Sequence, residues 1–575
     1  MRLLGQNNAA LACYDAALAA QPAQATFHNN RAVTLAELNR HAEALAACDK
    51  ALTLEPDFAE AHVNRGMALM KLGRPQEAWS AYDAALRLNP ALAEAHSHRG
   101  LALAELQQPE AAVAAYNLAF ALSPDMPFLC GTRLHQKMLI CDWQSFDVDL
   151  ADLCGRVVRG KQATASFPLL ALIDDPALHR QAAAVWGAAR VTQVQGPLPH
   201  HAANAKILVG YFSMDFRDHP VATLSAGLFE AHDRAVFEVY GFSYGVDTGD
   251  AMRKRPEGAF DRFIDVRTKS DHEIAALARE LRLDIAVDLA GYTGNARSSI
   301  FAARAAPVQI NYLGYPGTMA ASYMDYLIAD PVVIPAHTRA HYAEKLIYLP
   351  CYQANDDQRR VDAQTPSREQ LGLPRHGFVF CSFNNPYKIT PQTFASWMSI
   401  LKQTPGSVLW LLANDAVTER NLRAAAGVNA DRLIFARPIK PATAHFARQR
   451  AADLFLDTLP YNADTTASDT LWSGVPVLTL RGEAMAGRVA ASLLTALDLT
   501  ELVTTTRDAY EAAAIDLAGN AAHLAEIKAK LAAYRGTKGL FNTAHFTRGL
   551  EEAYRQVITR HQAGLPPDDI SISLL

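Results

Sequence analysis

The sequence predicts an array of helical repeats followed by two tandem α/β halves, and three observations carry that fold class. Prolines 22, 56, 90 and 124 stand 34 residues apart, with small residues in phase. From Lys206 onward, short apolar strands alternate with helical stretches. The segment 453–480, DLFLDTLPYNADTTASDTLWSGVPVLTL, joins two such strands through a polar loop and a short helix.

The repeats come first. Ala17, Ala51, Ala85 and Ala119 share one phase, and Ala10, Ala44, Ala78 and Ala112 another. Tyr14, Cys48, Tyr82 and Tyr116 stand eight before each proline; Gly66 pairs in phase with Gly100, and Gly5 with Gly73. This is the pattern of tetratricopeptide repeats, in which small residues let two helices pack closely and proline ends the second. Three full units fit, 25–58, 59–92 and 93–126, preceded by the second half of one more, so the array is placed at 1–126. Such repeats stack into a superhelix whose concave groove usually binds peptide or protein. Asn30, Asn64 and His98 share a phase on the first helix of each unit, where polar side chains could bond the backbone of an extended peptide. Solvated surface is the alternative.

Between 127 and 203 the period fades while helical patterning continues, in LADLCGRVVRG and HRQAAAVWGAAR. Asp147-Val148-Asp149 has the form of a metal-binding D-x-D motif, but it lies in a helical stretch rather than after a strand and reads as surface. Two prolines within 194–204 mark a domain boundary.

The first α/β half is placed at 204–376, with strands ILVGY, FEVYGF, DIAVDL, VQINYLGY, DYLIAD and KLIYLP. The second, at 377–540, has FVFCSF, SVLWLL, RLIFAR, DLFLD and VPVLTL; a C-terminal helix and tail occupy 541–575, with Gly536 and Gly539 breaking the helical pattern ahead of it. Proline at a first helical position marks helix starts at His219-Pro220 and Thr390-Pro391, and Ser270 with Glu273 forms a capping box. This alternation implies mostly parallel sheets covered on both faces, with a cleft at the carboxyl ends of the strands. Candidate residues collect there: His219; Asn385, Pro386, Tyr387 and Lys388; His445 and Arg448; Thr465, Thr466 and Asp469. In 453–480 the helix should start near Thr465-Thr466, whose hydroxyls would accept from its first amides, and stop at Gly474. Its amides and dipole suit a diphosphate, and Asp469, one turn further in, could accept from two sugar hydroxyls. The plain alternative is an ordinary capped helix.

The totals exclude several classes. A formal net charge of −5 argues against a general nucleic-acid or membrane-surface binder. Seven scattered cysteines without a CxxC pair fit reduced thiols better than a disulfide framework or zinc site. No apolar run is long enough to span a bilayer, and Asn7, Asn8 and Asp15 stand where a signal peptide needs an apolar core. A cytoplasmic location is therefore expected.

Repeats ahead of two Rossmann-like halves resemble the O-linked N-acetylglucosamine transferases, glycosyltransferase family 41, in a bacterial form with a short connection between the halves. The marks are DFRDHP (215–220), GYTGNAR (291–297), LGYPGT (313–318), FNNPYKI (383–389), H-x-x-R (445–448) and TTASDTLWSGVP (465–476). The resemblance implies a GT-B-type pair of domains acting as an inverting, metal-independent transferase. It would move N-acetylglucosamine from UDP-GlcNAc to Ser/Thr hydroxyls of proteins held along the repeat groove, with no cofactor, and a homodimer through the repeats is compatible with it. By position it makes His219 the active-site histidine and Lys388 the residue that neutralises the diphosphate. Lys440, Pro441 and Ala442 would line the uracil by backbone contacts, beside His445 and Arg448; Asp464, Thr465 and Thr466 would meet the phosphates, and Asp469 the ribose. Acceptor contacts would come from Asn30, Asn64, His98, Tyr315 and Pro316. The chain departs from the pattern at Asn385, where glutamine is usual, and at Tyr461 and Asp464, which replace a cysteine and a histidine. These departures leave room for another donor, GDP-fucose or UDP-glucose. A non-catalytic repeat scaffold with a vestigial nucleotide site is the other alternative.

Overall fold

The computed structural model describes residues 7–191, 204–534 and 539–573, in two compact units, Met1–Asp149 and Leu150–Leu575. Gly5, Gly536 and nearly all of the proline-containing boundary 194–204 lie outside the described residues.

In the first unit a lone helix, Asn7–Ala20, precedes three helix pairs: Ala25–Glu37 with His41–Leu54, Ala59–Lys71 with Pro75–Leu88, and Ala93–Glu105 with Pro109–Leu122. The pairs coincide with the three predicted repeats. The periodic residues explain the packing. A Cβ on Gly66 would stand 2.4 Å from the Tyr82 ring, and one on Gly100 would stand 2.9 Å from the Tyr116 ring. Each glycine thus makes the room its own repeat's tyrosine fills. In the first pair, Ala32 and Cys48 hold the same two positions inside one buried cluster, a small residue facing a smaller partner. Asp147-Val148-Asp149 corrects the surface reading in part. Asp147 and Val148 are exposed, but Asp149 is buried and paired with Arg133 at 2.6 Å and Lys137 at 2.9 Å, because a buried carboxylate needs compensating charge.

The second unit opens with helices, then holds two parallel sheets. The strands, in chain order, are β1 (Ile207–Ser213), β2 (Phe237–Ser243), β3 (Arg262–Asp265), β4 (Ile285–Asp288), β5 (Val308–Asn311), β6 (Tyr326–Ala329) and β7 (Lys345–Tyr348). They continue as β8 (Val379–Ser382), β9 (Val408–Leu412), β10 (Leu433–Ala436), β11 (Leu454–Leu456), β12 (Val477–Leu480), β13 (Val503–Thr504) and β14 (Ile570–Ser571). The first sheet runs β14-β7-β6-β5-β4-β1-β2-β3 and the second β10-β9-β8-β11-β12-β13. Central strands such as β4, β5 and β8 are buried along their whole length, as helices on both faces require.

The tail belongs to the first half. The helix Thr543–Gln562 sends Leu550, Tyr554 and Val557 into the first sheet's core, and β14 pairs with β7. The His232 Nδ1 and the Asp233 amide both meet the Glu551 carboxylate, at 3.1 and 2.7 Å, and the Tyr211 hydroxyl bridges His232 and Tyr554. None of the seven cysteines forms a disulfide. No helix among the described residues is long and apolar enough to cross a membrane.

Candidate active site

In each sheet the strand order reverses once, between β1 and β4 in the first and between β8 and β11 in the second. Ligands of open parallel sheets bind outside the carboxyl ends of strands at such reversals. The loops leaving those four strands, with the one after β5, wall a cavity of about 540 Å³. After β1 come Asp215, Arg217 and His219; after β4, Leu289 and Thr293; after β8, Asn384, Asn385 and Lys388; after β11, Tyr461, Asp464, Thr465 and Thr466. A second cavity of about 250 Å³ shares His219, Pro220 and Thr465 with the first and adds Asp218, Lys440, Ala442, His445 and Asp469.

Lys388 is the buried cation of the larger cavity. Its Nζ donates to the Asn462 carbonyl at 2.9 Å and stands 3.6 Å from the centre of the Tyr461 ring. Burial pulls its ammonium down to about 8, against the pull of Asp464 and Asp457. Asp457 organises the loop after β11. It accepts from the Thr458 and Ala463 amides and from the Thr479 hydroxyl, at 2.8, 2.6 and 2.7 Å.

The helix after that loop is Thr465–Trp472, with Gly474 at φ +87 just beyond it. The Gly474 and Val475 amides return to the Leu471 and Thr470 carbonyls, a Schellman closure that needs the left-handed glycine. Its beginning differs from the expectation. The threonines are the first two helical residues rather than caps, and the N-cap residue Asp464 makes no side-chain bond to the opening amides. The Asp464 backbone, at φ −107 and ψ −96, turns its carboxyl away from the position a capping side chain takes. Its Oδ1 is buried without a hydrogen-bond partner, and burial lifts the carboxyl to about 6 while Lys388 pulls it down. A helix end with uncapped amides beside a buried ammonium has the donors and the charge that an anion needs.

His219 is the N-cap of the helix Pro220–Ala231, its Nδ1 accepting from the Val221 amide at 3.3 Å and lying 3.6 Å from Asp215 Oδ2. Burial lowers its pKa, with Asp215 opposing and Arg217 assisting. A neutral ring with Nδ1 as acceptor carries its hydrogen on Nε2. His445 is held on both sides. Its Nδ1 accepts from Arg448 Nε at 3.1 Å, and Gln449 meets Nε2 at 2.9 Å. Burial, then Arg448, lowers its pKa to about 4, so the ring is neutral at ordinary pH.

The profile of glycosyl transferase family 41 matches residues 192–361 and 352–550. The chain belongs to glycosyl transferase family 41. A tetratricopeptide-repeat profile matches 4–61 and 63–127. Among curated relatives, the chain is 36% identical over 386 residues to the probable UDP-N-acetylglucosamine–peptide N-acetylglucosaminyltransferase SEC of Arabidopsis thaliana, covering 65% of this chain and 39% of that one. It is 27% identical over 482 residues to the Caenorhabditis elegans UDP-N-acetylglucosamine–peptide N-acetylglucosaminyltransferase, covering 64% and 42%. It is 32% identical over 382 residues to the probable enzyme SPINDLY of Oryza sativa subsp. japonica, covering 64% and 40%. The chain thus spans less than half the length of these curated relatives. A solved structure of a mutant O-GlcNAc transferase from Thermobaculum terrenum superposes with a TM-score of 0.69 at 28% identity, covering 94% of this chain and 98% of that one.

Set against the family 41 resemblance, His219, Asn385, Lys388, Asp464, Thr465 and Thr466 line the larger cavity, and Lys440, Ala442, His445 and Asp469 the smaller. Pro441 is the N-cap of the helix Ala442–Gln449 and is exposed, outside the lining of either cavity. Arg448 is buried and meets the site through His445 rather than through the cavity. Asp469 does not keep both oxygens for sugar, because Oδ1 accepts from Arg359 at 2.8 Å. Tyr315 and Pro316 are corrected as direct acceptor contacts. Both are buried, the Tyr315 hydroxyl bonds Ser166, and Leu313 and Gly314 are the residues of that loop that reach the cavity.

In the repeats, Asn64 Nδ2 donates to Asn29 Oδ1 at 2.8 Å, and His98 stacks on Tyr82 at 5.7 Å and lies 3.7 Å from Glu94. Two members of the polar ladder are thus engaged within the array. Sequence reading missed Asn384, whose neighbour Asn385 was singled out, and Arg217 and Asp218, both inside DFRDHP. It also missed Phe167, whose ring stands 6.1 Å from Tyr461 and 6.3 Å from Tyr387. No local signal marks Phe167, which arrives from the helical stretch before the sheets.

Proposed function

We propose that this chain moves N-acetylglucosamine from UDP to serine or threonine hydroxyls of proteins, by a single inverting displacement and without a resident metal. One observation carries the reading: the buried Lys388 ammonium and the uncapped start of the helix Thr465–Trp472 face one cavity. The curated relatives, named as established or probable UDP-N-acetylglucosamine–peptide N-acetylglucosaminyltransferases, support the choice of donor and acceptor.

The acceptor oxygen attacks the anomeric carbon in line as the bond from that carbon to the diphosphate oxygen breaks, and the acceptor's hydroxyl proton passes to a phosphate oxygen of the departing UDP. Negative charge grows on the leaving UDP, and Lys388 with the helix amides stabilises it, charge work that preorganised donors do best in a water-poor cavity. His219, with hydrogen on Nε2, orients the acceptor by donating to it; acting as the base would require the other tautomer, with the Nδ1 hydrogen directed to Asp215. Neutral His445 offers a flat apolar face in the cavity where the uracil would lie. The repeat array binds the acceptor polypeptide.

A panel of nucleotide sugars incubated with a peptide library and read by mass tests the reading. Addition of an N-acetylhexosamine to serine or threonine from the UDP donor alone is expected, with NMR of the product giving inverted anomeric configuration. A hexose or deoxyhexose mass would reassign the donor, and UDP binding without turnover would favour the nucleotide-sensing scaffold.

A further inference from the structure

We propose that Arg359 is a positioning residue of the donor site, fixing Asp469 for the ribose from the segment that connects the two halves. The inference rests on the reading that Asp469 meets the ribose.

Arg359 lies between β7 and β8, 110 residues before Asp469, yet its side chain is only 3% exposed. Its Nη1 donates to Asp469 Oδ1 at 2.8 Å, its Nη2 to Ser468 Oγ at 3.1 Å and its Nε to the Asp356 carbonyl at 3.0 Å. The guanidinium also stands 5.2 Å from the Trp472 ring centre and 5.7 Å from that of Phe541. Ser468, Asp469 and Trp472 belong to the helix that opens at Thr465, so one side chain grips three points of the proposed nucleotide-binding helix. The planar fork suits this because its donors diverge at fixed angles. With Oδ1 taken by Arg359, Asp469 offers Oδ2 to the smaller cavity.

The second effect is electrostatic. Burial drives the Asp469 carboxyl up to about 6, and Arg359 is the cation opposing that rise. The other charged or titratable groups around Asp469 are Asp464 at the helix start, which raises it further, and Asp218, His219, Lys440 and His445 around the cavity. Without Arg359 the carboxyl titrates higher, so near neutral pH it is a neutral acid and a poorer acceptor for ribose hydroxyls. Raising the pH restores the carboxylate.

The test compares binding of UDP and 2′,3′-dideoxy-UDP by calorimetry at pH 6.5 and 8.5, for the wild type, R359Q, R359K and D469N, with melting temperatures alongside. The ratio of the two affinities cancels the titration of Lys388, which both ligands share. In the wild type, UDP should bind about tenfold or more tighter, as hydrogen bonds to a charged group allow. R359Q should lose most of that ratio at pH 6.5 and regain part of it at pH 8.5. R359K, which keeps the charge but not the fork, should keep more of it than R359Q at pH 6.5, and D469N should lose it at both. A folded R359Q that keeps the wild-type ratio at both pH values overturns the role of Arg359 alone. A wild-type ratio of one overturns the ribose reading and the role with it. Should R359Q not fold, R359M takes its place with the same expected and overturning results.

Discussion

The repeat array and the α/β unit pair their polar side chains differently. In the array the same hydrogen bond recurs from repeat to repeat: His28, His62 and His96 reach the carbonyls of Pro22, Pro56 and Pro90 at 2.9, 3.0 and 3.0 Å. Arg31 and Arg65 likewise pair with Asp15 and Asp49, each at 2.7 Å. In the α/β unit, buried polar atoms without a partner gather near the strand ends: Asn311, whose whole amide is orphaned, Asn384 Oδ1 and Asp464 Oδ1. A periodic stack can return the same partner at the same phase, as for these histidines and arginines, although Tyr82 Oη, His96 Nδ1 and Arg99 Nε within it are buried without one. Loops converging from several strands have no such recurring partner, and Asn384 and Asp464 bring their unpartnered oxygens to the larger cavity.

The largest test of that contrast is K388M. It should lower turnover about a hundredfold to a thousandfold, the effect of removing one preorganised charge-stabilising donor, while leaving the melting curve nearly unchanged. Normal UDP release in the presence of a peptide acceptor would mean that the cavity's open charge is not its working part. The pH profile comes next. Because the Lys388 ammonium sits near 8, below a free lysine, its charge is lost as pH rises through about 8. UDP affinity and turnover should therefore fall on the alkaline side, and K388R should remove that fall, since arginine keeps its charge.

In the array the expected effects are on stability. G66A drives a Cβ into the Tyr82 ring and should cost about 1–3 kcal/mol, as overpacking does. Pairing it with Y82C, which copies the Ala32–Cys48 pair of the preceding repeat, removes the clash, so the double variant should cost less in urea unfolding than the two single changes added together. The smallest effect is that of N64A, which breaks the bond to Asn29 and should cost about 0.5–1.5 kcal/mol. Its effect on peptide affinity should stay below about tenfold; a larger loss would show that the ladder contacts acceptor despite its internal bonds.

Much of the site was legible because its parts lie at predictable places: the residues right after a buried apolar strand. His219, Lys388, Thr465 and Asp469 were found that way. The capping of the helix at Thr465 was read wrongly because hydroxyl residues favour helix starts in general, whereas here Asp464 takes the N-cap position in a conformation that turns its carboxyl elsewhere. Asp149 looks like surface in the sequence because its burial depends on Arg133 and Lys137, a helix away.

The sequence by itself determined the repeat period, the main strands and the loops that carry the chemistry, because periodicity and apolar runs report interactions among near neighbours. Only the tertiary structure decided that the tail from Thr543 returns to the first sheet and that the short strands β3, β13 and β14 exist at all. It also decided that Lys388, Asp464 and Asp469 titrate away from their ordinary ranges and that Arg359 reaches Asp469. Desolvation and long-range pairing depend on which surfaces the folded chain brings together, and no local pattern of residues encodes that.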